Sequence, residues 1–189
     1  MTSQVILTAT ETNNPILMTC APESREQLFA RGTIRRVAPE EVLFEERAPA
    51  GVVLLPLTGL YQFSKTAERK RRQILCNLSC KSCNGICLLT MAERSLADIV
   101  ALTAGEVLLV PRKDFQVLAR GDPILCQAGW QAAVECLSHF SDLVEHLSFR
   151  KVSERVALAL LEGSQQDGDL VHLTQAELAA EVGTTREVV

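Results

Sequence analysis

Apolar positions follow two different rhythms along the 189-residue chain, and the change falls at Gly121. Before it, apolar and β-branched runs at residues 37–44, 52–57, 59–63, 73–75 and 106–110 are separated by turn residues. This pattern predicts a compact antiparallel β-domain of short strands, a barrel or sandwich, with a brief helix at residues 23–30 leading into it. After Gly121, Asp122 as N-cap and Pro123 at the first helical position predict a long helix reaching residue 149. Along it Leu125, Ala128, Ala132, Cys136, Phe140, Leu143 and Leu147 recur every three or four residues. Such a helix is either an internal strut or the seam of a parallel dimer, and the near-heptad spacing favours the dimer. A second helix is expected at residues 153–162, followed by a polar turn at 163–169.

The last stretch, residues 173–189, reads as a helix-turn-helix that stops inside its second helix. Thr174 with Glu177 forms one capping box and Thr184 with Glu187 a second, ten residues on, with Gly183 between them. Ala179 lets the helices approach, Gly183 frees the turn, and Val189 falls where the second helix would bury an apolar side chain. The rest of that helix is missing, so autonomous specific DNA binding by these residues is expected to fail, since about one and a half turns lack their own hydrogen bonds.

Composition narrows the class. A hydrophobic content of 47% supports a packed core. The N-terminus lacks a basic region with a long apolar core, and residues 51–60, interrupted by Pro56, are too short to span a bilayer, so a cytoplasmic location with no membrane partner is expected. The net charge of -4 does not favour phosphate binding over the whole surface. Lys65, Arg69, Lys70, Arg71 and Arg72 form the one dense basic run, read as a solvated hairpin tip in preference to a nucleic-acid patch.

Four of the seven cysteines, Cys76, Cys80, Cys83 and Cys87, are spaced C-x3-C-x2-C-x3-C. Thiolates at such intervals can wrap one soft metal centre, an iron-sulfur cluster or zinc. A redox-active thiol pair and plain structural cysteines are the alternatives. Cys126 and Cys136 read as small core residues of the long helix, and Cys20 as uninformative or a remote ligand. The spacing of the first three also matches radical enzymes, but those need a barrel of about 200 residues or more. His139, His146 and His172 have no nucleophile paired with them, so no catalytic residues are assigned and the chain is read as a non-enzyme.

The order β-domain, long helix, helix-turn-helix resembles the Crp/Fnr superfamily of bacterial transcription regulators. The likeness rests on residues 38–44 as an early barrel strand, Gly59-Leu60, residues 110–115 closing the barrel, and residues 173–189. It implies an α+β fold: a cyclic-nucleotide-binding-like, jelly-roll β-roll sensor at residues 1–121, a dimerisation helix at 122–149, and a partial winged helix-turn-helix at 150–189. It further implies a homodimer on double-stranded DNA with a palindromic operator, and RNA polymerase as a partner. Arg186 and Glu187 would read bases while Thr174 and Thr185 lie near phosphates. Relatives bind cyclic phosphates in a glycine-rich cassette ending in Arg-Ser. Here Arg94-Ser95 remains but the cysteine segment replaces the glycines, which argues against cyclic nucleotide. The superfamily includes regulators that sense oxygen or nitric oxide through a cluster, so the resemblance makes iron-sulfur the first choice for the four cysteines, with zinc or no metal as alternatives. The runner-up function is a metal or redox module that pairs with full-length regulators without binding DNA itself.

Overall fold

Proline-initiated helices and turns at positive φ delimit the elements of the computed structural model, which describes residues 13–67, 72–82, 85–167 and 174–189. The helices are α1 (Pro15–Thr19), α2 (Pro22–Arg31), α3 (Arg112–Gly121), α4 (Pro123–Phe149), α5 (Val152–Asp167) and α6 (Gln175–Val182). The strands are β1 (Thr33–Val37), β2 (Val42–Phe44), β3 (Val52–Thr58), β4 (Leu60–Thr66), β5 (Arg72–Ser79), β6 (Asp98–Ala101) and β7 (Gly105–Pro111). They form a three-stranded sheet in the order β1-β7-β3 and a four-stranded sheet in the order β2-β6-β4-β5. β7 pairs antiparallel with both neighbours, Thr33 opposite Leu109 on one side and Val53 opposite Val110 on the other. Pro56 lies on β3, an edge strand, where its missing amide interrupts one side only, and the register shifts just after it.

Three expectations are corrected here. Residues 37–44 are not one strand: a turn at 38–41 splits them, with Glu40 at φ 66°, and sends β1 and β2 into different sheets. The Glu41 carboxylate holds that turn, accepting from the Ala38 amide at 3.0 Å and from Arg35 at 2.9 Å, and these two donors keep its pKa below the usual range. Residues 110–115 do not simply close the barrel, because β7 ends at Pro111 and α3 starts at once, burying Phe115. The polar turn placed at 163–169 is helix at its start, since α5 continues through Gly163 to Asp167; residues 168 and 169 lie outside the described residues.

The chain divides into two compact units that do not follow chain order. The first combines the segment ending at Gln62 with Leu78–Cys136. Its core joins Ile16, Leu17, Leu28, Val53, Leu55, Leu108, Val110, Phe115 and Leu125, and each such side chain, fully buried, contributes about 1.5–3 kcal/mol. The second consists of Phe63–Asn77 and Leu137–Val189. Among the described residues no helix is long and apolar enough to cross a membrane.

Asp122 starts α4 as its sequence context predicts. Its Oδ1 accepts from the amides of Ile124 at 2.9 Å and Leu125 at 3.2 Å, while Oδ2 accepts from Ala21 at 3.0 Å, tying α4 to the start of α2. Burial pushes its pKa up, but hydrogen bonds from Ser24 and from the Ala21, Leu125 and Ile124 amides outweigh this and hold it below the ordinary carboxylate range. A depressed pKa adds stability above the unfolded-state value, about 3.9, which disappears as pH falls through the folded value. Asp122→Ala is therefore expected to lower stability by about 1–2 kcal/mol at neutral pH. Urea titrations at successive pH values should show that gap closing in acid; a gap independent of pH would contradict the assignment.

The apolar stripe predicted on α4 is real, but it is not the solvent-facing seam. Leu125 and Ala132 belong to the core, Ala128, Cys136, Phe140 and Leu143 are partly buried, and Leu147, the last of the predicted stripe, is exposed. A second stripe faces outward: Trp130, Val134, Leu137 and Val144 are 72%, 60%, 72% and 62% exposed.

Candidate functional site

The cysteine segment begins inside β5 and ends as a short bridge to β3. Cys76 is partly buried on β5, and Cys80 occupies a turn built by serines, with Ser82 Oγ accepting from the Ser79 amide at 3.2 Å. Cys83 lies outside the described residues. Beyond it, Gly85 takes φ 72°, Ile86 is buried, and the Cys87 amide donates to the Leu54 carbonyl at 2.9 Å, which leaves the Cys87 side chain buried. Among the described residues, no three His, Cys, Asp or Glu side chains are arranged to hold a metal ion.

The side chain that pins this segment is one that sequence reasoning passed over. Asn14 is fully buried, and its Nδ2 donates to the carbonyls of Gly85 and Pro56, each at 2.8 Å, while Oδ1 caps α1 by accepting from the Leu17 amide at 3.4 Å. The signal available was Asn before Pro15, an N-cap signature. Nothing local shows that the amide group also reaches residues 42 and 71 positions away.

The remaining cysteines separate. Cys20 is buried in the core beside α1, and burial, then the Asp122 charge, pushes its thiol pKa up, which disfavours the thiolate a remote ligand would need. Burial also raises that of Cys136. Cys126 is exposed, against the expectation of a core position, because it sits on α4 one residue past buried Leu125.

Arg94 and Ser95 are engaged internally. Arg94 Nη1 donates to the Arg47 carbonyl at 2.8 Å, and the buried Ser95 hydroxyl donates to the Ala97 carbonyl at 2.7 Å. Elsewhere in the first unit, the Tyr61 hydroxyl donates to the Thr58 carbonyl at 2.8 Å, and burial, reinforced by Glu106, pushes its pKa up to about 12.

In the second unit, α6 carries the capping box as predicted. Thr174 Oγ1 accepts from the Glu177 amide at 3.2 Å, and the Glu177 carboxylate accepts from the Thr174 amide at 2.8 Å and hydroxyl at 2.6 Å. The Thr174 hydrogen bonds and the Arg72 charge hold Glu177 below the usual carboxylate range. Gly183 ends the helix at φ 69°, ψ 44°, and the Thr184 amide closes the turn onto the Ala179 carbonyl at 2.9 Å. Gln73 on β5 secures it by donating to the Glu181 carbonyl at 3.2 Å.

Residues 185–188 then make one turn rather than a second helix, with the Val188 amide bonded to the Thr185 carbonyl at 3.0 Å. The second capping box is displaced accordingly: the Glu187 amide and the Thr185 hydroxyl, not Thr184, stabilise the Glu187 carboxylate and lower its pKa. Val189 is 37% exposed rather than buried, since no helix orients it inward. Thr174, Thr185, Arg186 and Glu187 are all exposed. A hollow of about 410 Å³ beside them is lined by Arg72, Glu177 and residues 184–187. It brings one member of the basic run to the predicted DNA residues; Arg69, Lys70 and Arg71 lie outside the described residues, and Lys65 is exposed.

Residues 34–122 match the cyclic nucleotide-binding domain. A candidate transcriptional regulator of the Crp/Fnr family from Eubacterium rectale superimposes with a TM-score of 0.75 at 16% identity, over 92% of this chain and 82% of that one. The c-di-GMP responsive global regulator CLP of Xanthomonas campestris gives 0.72 at 18% identity, over 89% and 87%. FixK2 of Bradyrhizobium japonicum gives 0.68 at 24% identity, over 82% and 79%. A search of curated proteins finds no match. The chain has the Crp/Fnr fold, built on a cyclic nucleotide-binding domain. Within that fold, the cysteine segment occupies part of the matched domain, and Thr174 to Glu187 lie outside it, on α6 and the turn that follows.

Proposed function

We propose that the protein is a DNA-binding transcription regulator of the Crp/Fnr type, dimeric through α4, responsive through the cysteine segment at residues 76–87, and at work in the cytoplasm. The observation that carries this reading is the start of a helix-turn-helix: a capped α6, a left-handed Gly183, and Thr185, Arg186 and Glu187 held in solvent just beyond it. Arginine suits the guanine edge and glutamate the cytosine amino group. Thr174 is the weaker candidate, because its hydroxyl already donates to Glu177, whose charge opposes a phosphate. A second copy of the chain is the proposed occupant of the exposed stripe Trp130, Val134, Leu137 and Val144, whose spacings of four, three and seven residues suit a parallel helix pair.

The cysteine segment is the proposed sensor. An iron-sulfur cluster or zinc would be held by Cys76, Cys80, Cys83 and Cys87; redox chemistry of the same thiols is the alternative. Iron, sulfide and zinc analysis of protein purified without oxygen, beside Cys80→Ser, separates cluster, zinc and thiol forms.

The function itself is tested by selecting bound duplexes from a random-sequence pool with a form of the protein in which the second helix is completed, because residues 185–188 by themselves make one turn. A palindromic site should be enriched, and Arg186→Ala should weaken its binding about tenfold or more while leaving the dimer intact in sedimentation. A dimer that enriches no sequence would overturn the reading in favour of a module that pairs with other regulators.

A further inference from the structure

The second unit contains a cavity of about 270 Å³ walled by β5, α4, α5 and the end of α6. Its ionisable lining is Cys76, His139, Asp142, His146, Arg155 and Glu181. His139 is committed to the wall: its Nε2 lies 2.6 Å from the Leu75 carbonyl, which can only accept, so the proton is on Nε2. Arg155 is different. Its Nε is buried with no hydrogen-bond partner, and among the described residues it forms no ion pair, although a guanidinium cannot shed its charge. Arg155 as a whole is half-buried, and it is this one buried N–H, left unmatched in the cavity wall, that is costly unless a ligand completes it.

The rest of the lining restricts what that ligand is. Leu143, Leu147, Leu158, Ala159 and Val182 offer apolar surface for a short hydrocarbon body. Asp142 on α4 and Glu181 on α6 add negative charge to the lining, which opposes a second negative charge on the ligand and favours an ammonium group. We propose that this cavity is a binding site for a small apolar monocarboxylate, with Arg155 as its anchor. The carboxylate takes the bidentate place opposite the guanidinium, the body covers the leucines, and the source is either a simple branched-chain acid or the corresponding α-amino acid. Because Glu181 and Val182 immediately precede Gly183, occupancy braces the end of α6 against α4 and α5, so the ligand stabilises the fold in proportion to its binding. This site shares only Cys76 and Asn77 with the cysteine segment proposed as sensor.

Calorimetry and thermal unfolding of the full chain with isovalerate, leucine and inorganic phosphate at millimolar concentration test the proposal. Saturable binding of isovalerate, leucine or both, one per chain and with a raised unfolding midpoint, is expected. Leucine alone would mean that Asp142 and Glu181 read the ammonium group, and equal binding would mean that the carboxylate suffices. Arg155→Met should weaken binding about tenfold or more, whereas Arg150→Met, outside the lining, should not. Without ligand, the Arg155→Met midpoint should equal or exceed that of wild type, because the unmatched donor is gone. Binding of phosphate only, no binding at all, unaltered binding by Arg155→Met, or a lower ligand-free midpoint in that variant would each overturn the assignment.

Discussion

Asn14→Leu is expected to lose about 3–7 kcal/mol of unfolding free energy. The substitution leaves the Gly85 and Pro56 carbonyls without their 2.8 Å donors, at about 1–3 kcal/mol each, and removes the α1 cap, worth about 1 kcal/mol. Leucine matches asparagine in rough size but supplies no donor, so nothing offsets the loss. Urea denaturation measures it. Hydrogen exchange locates it, with faster exchange at the Cys87 amide, whose bond to Leu54 depends on Gly85 staying in place. A loss below about 1 kcal/mol would mean that water replaces the side chain, and would remove Asn14 from the account of how the cysteine segment is held.

Gly183→Ala should loosen the second unit by about 2–4 kcal/mol. Part of this is the left-handed backbone at φ 69°, which costs an alanine about 1–2 kcal/mol. The remainder is crowding, since an added Cβ would meet the Gln73 amide oxygen and lie 2.7 Å from Leu147 Cδ2. Gly121→Ala is the control: nothing lies within 4 Å of its added Cβ and its φ is not positive, so stability should hold or rise by about 0.4–1 kcal/mol. Accelerated exchange over Gln175–Val182 in the first variant but not the second would establish the turn as the fastening of α6. Equal behaviour of the two would contradict it. If the regulatory reading holds, Gly183→Ala also weakens duplex binding, because Thr185, Arg186 and Glu187 follow directly on that turn.

These two residues mark the boundary of what was legible. Gly183 was readable because a helix end and its left-handed glycine sit within one turn of chain; Asn14 was half readable, its cap visible and its long-range bonds not. The cysteine segment shows the same division. Its spacing stood out at once, yet where its thiols lie depends on β5 taking in Cys76 and on Asn14 and Leu54 holding residues 85–87.

Relations spanning three or four residues were determined by the sequence itself: Asp122 with Pro123 at the start of α4, and Thr174 with Glu177 at the start of α6. The partners in each lie close enough that local geometry alone joins them. Tertiary structure alone decided the turn at 38–41 that splits a predicted strand between two sheets, the helix after Pro111, and the exposure of Cys126. It also decided which of two apolar stripes α4 buries. Both have helical spacing, and only the core built by residues distant in sequence, Leu28, Leu55 and Phe115 among them, selects Leu125 and Ala132 for the interior and leaves Trp130 and Leu137 in solvent.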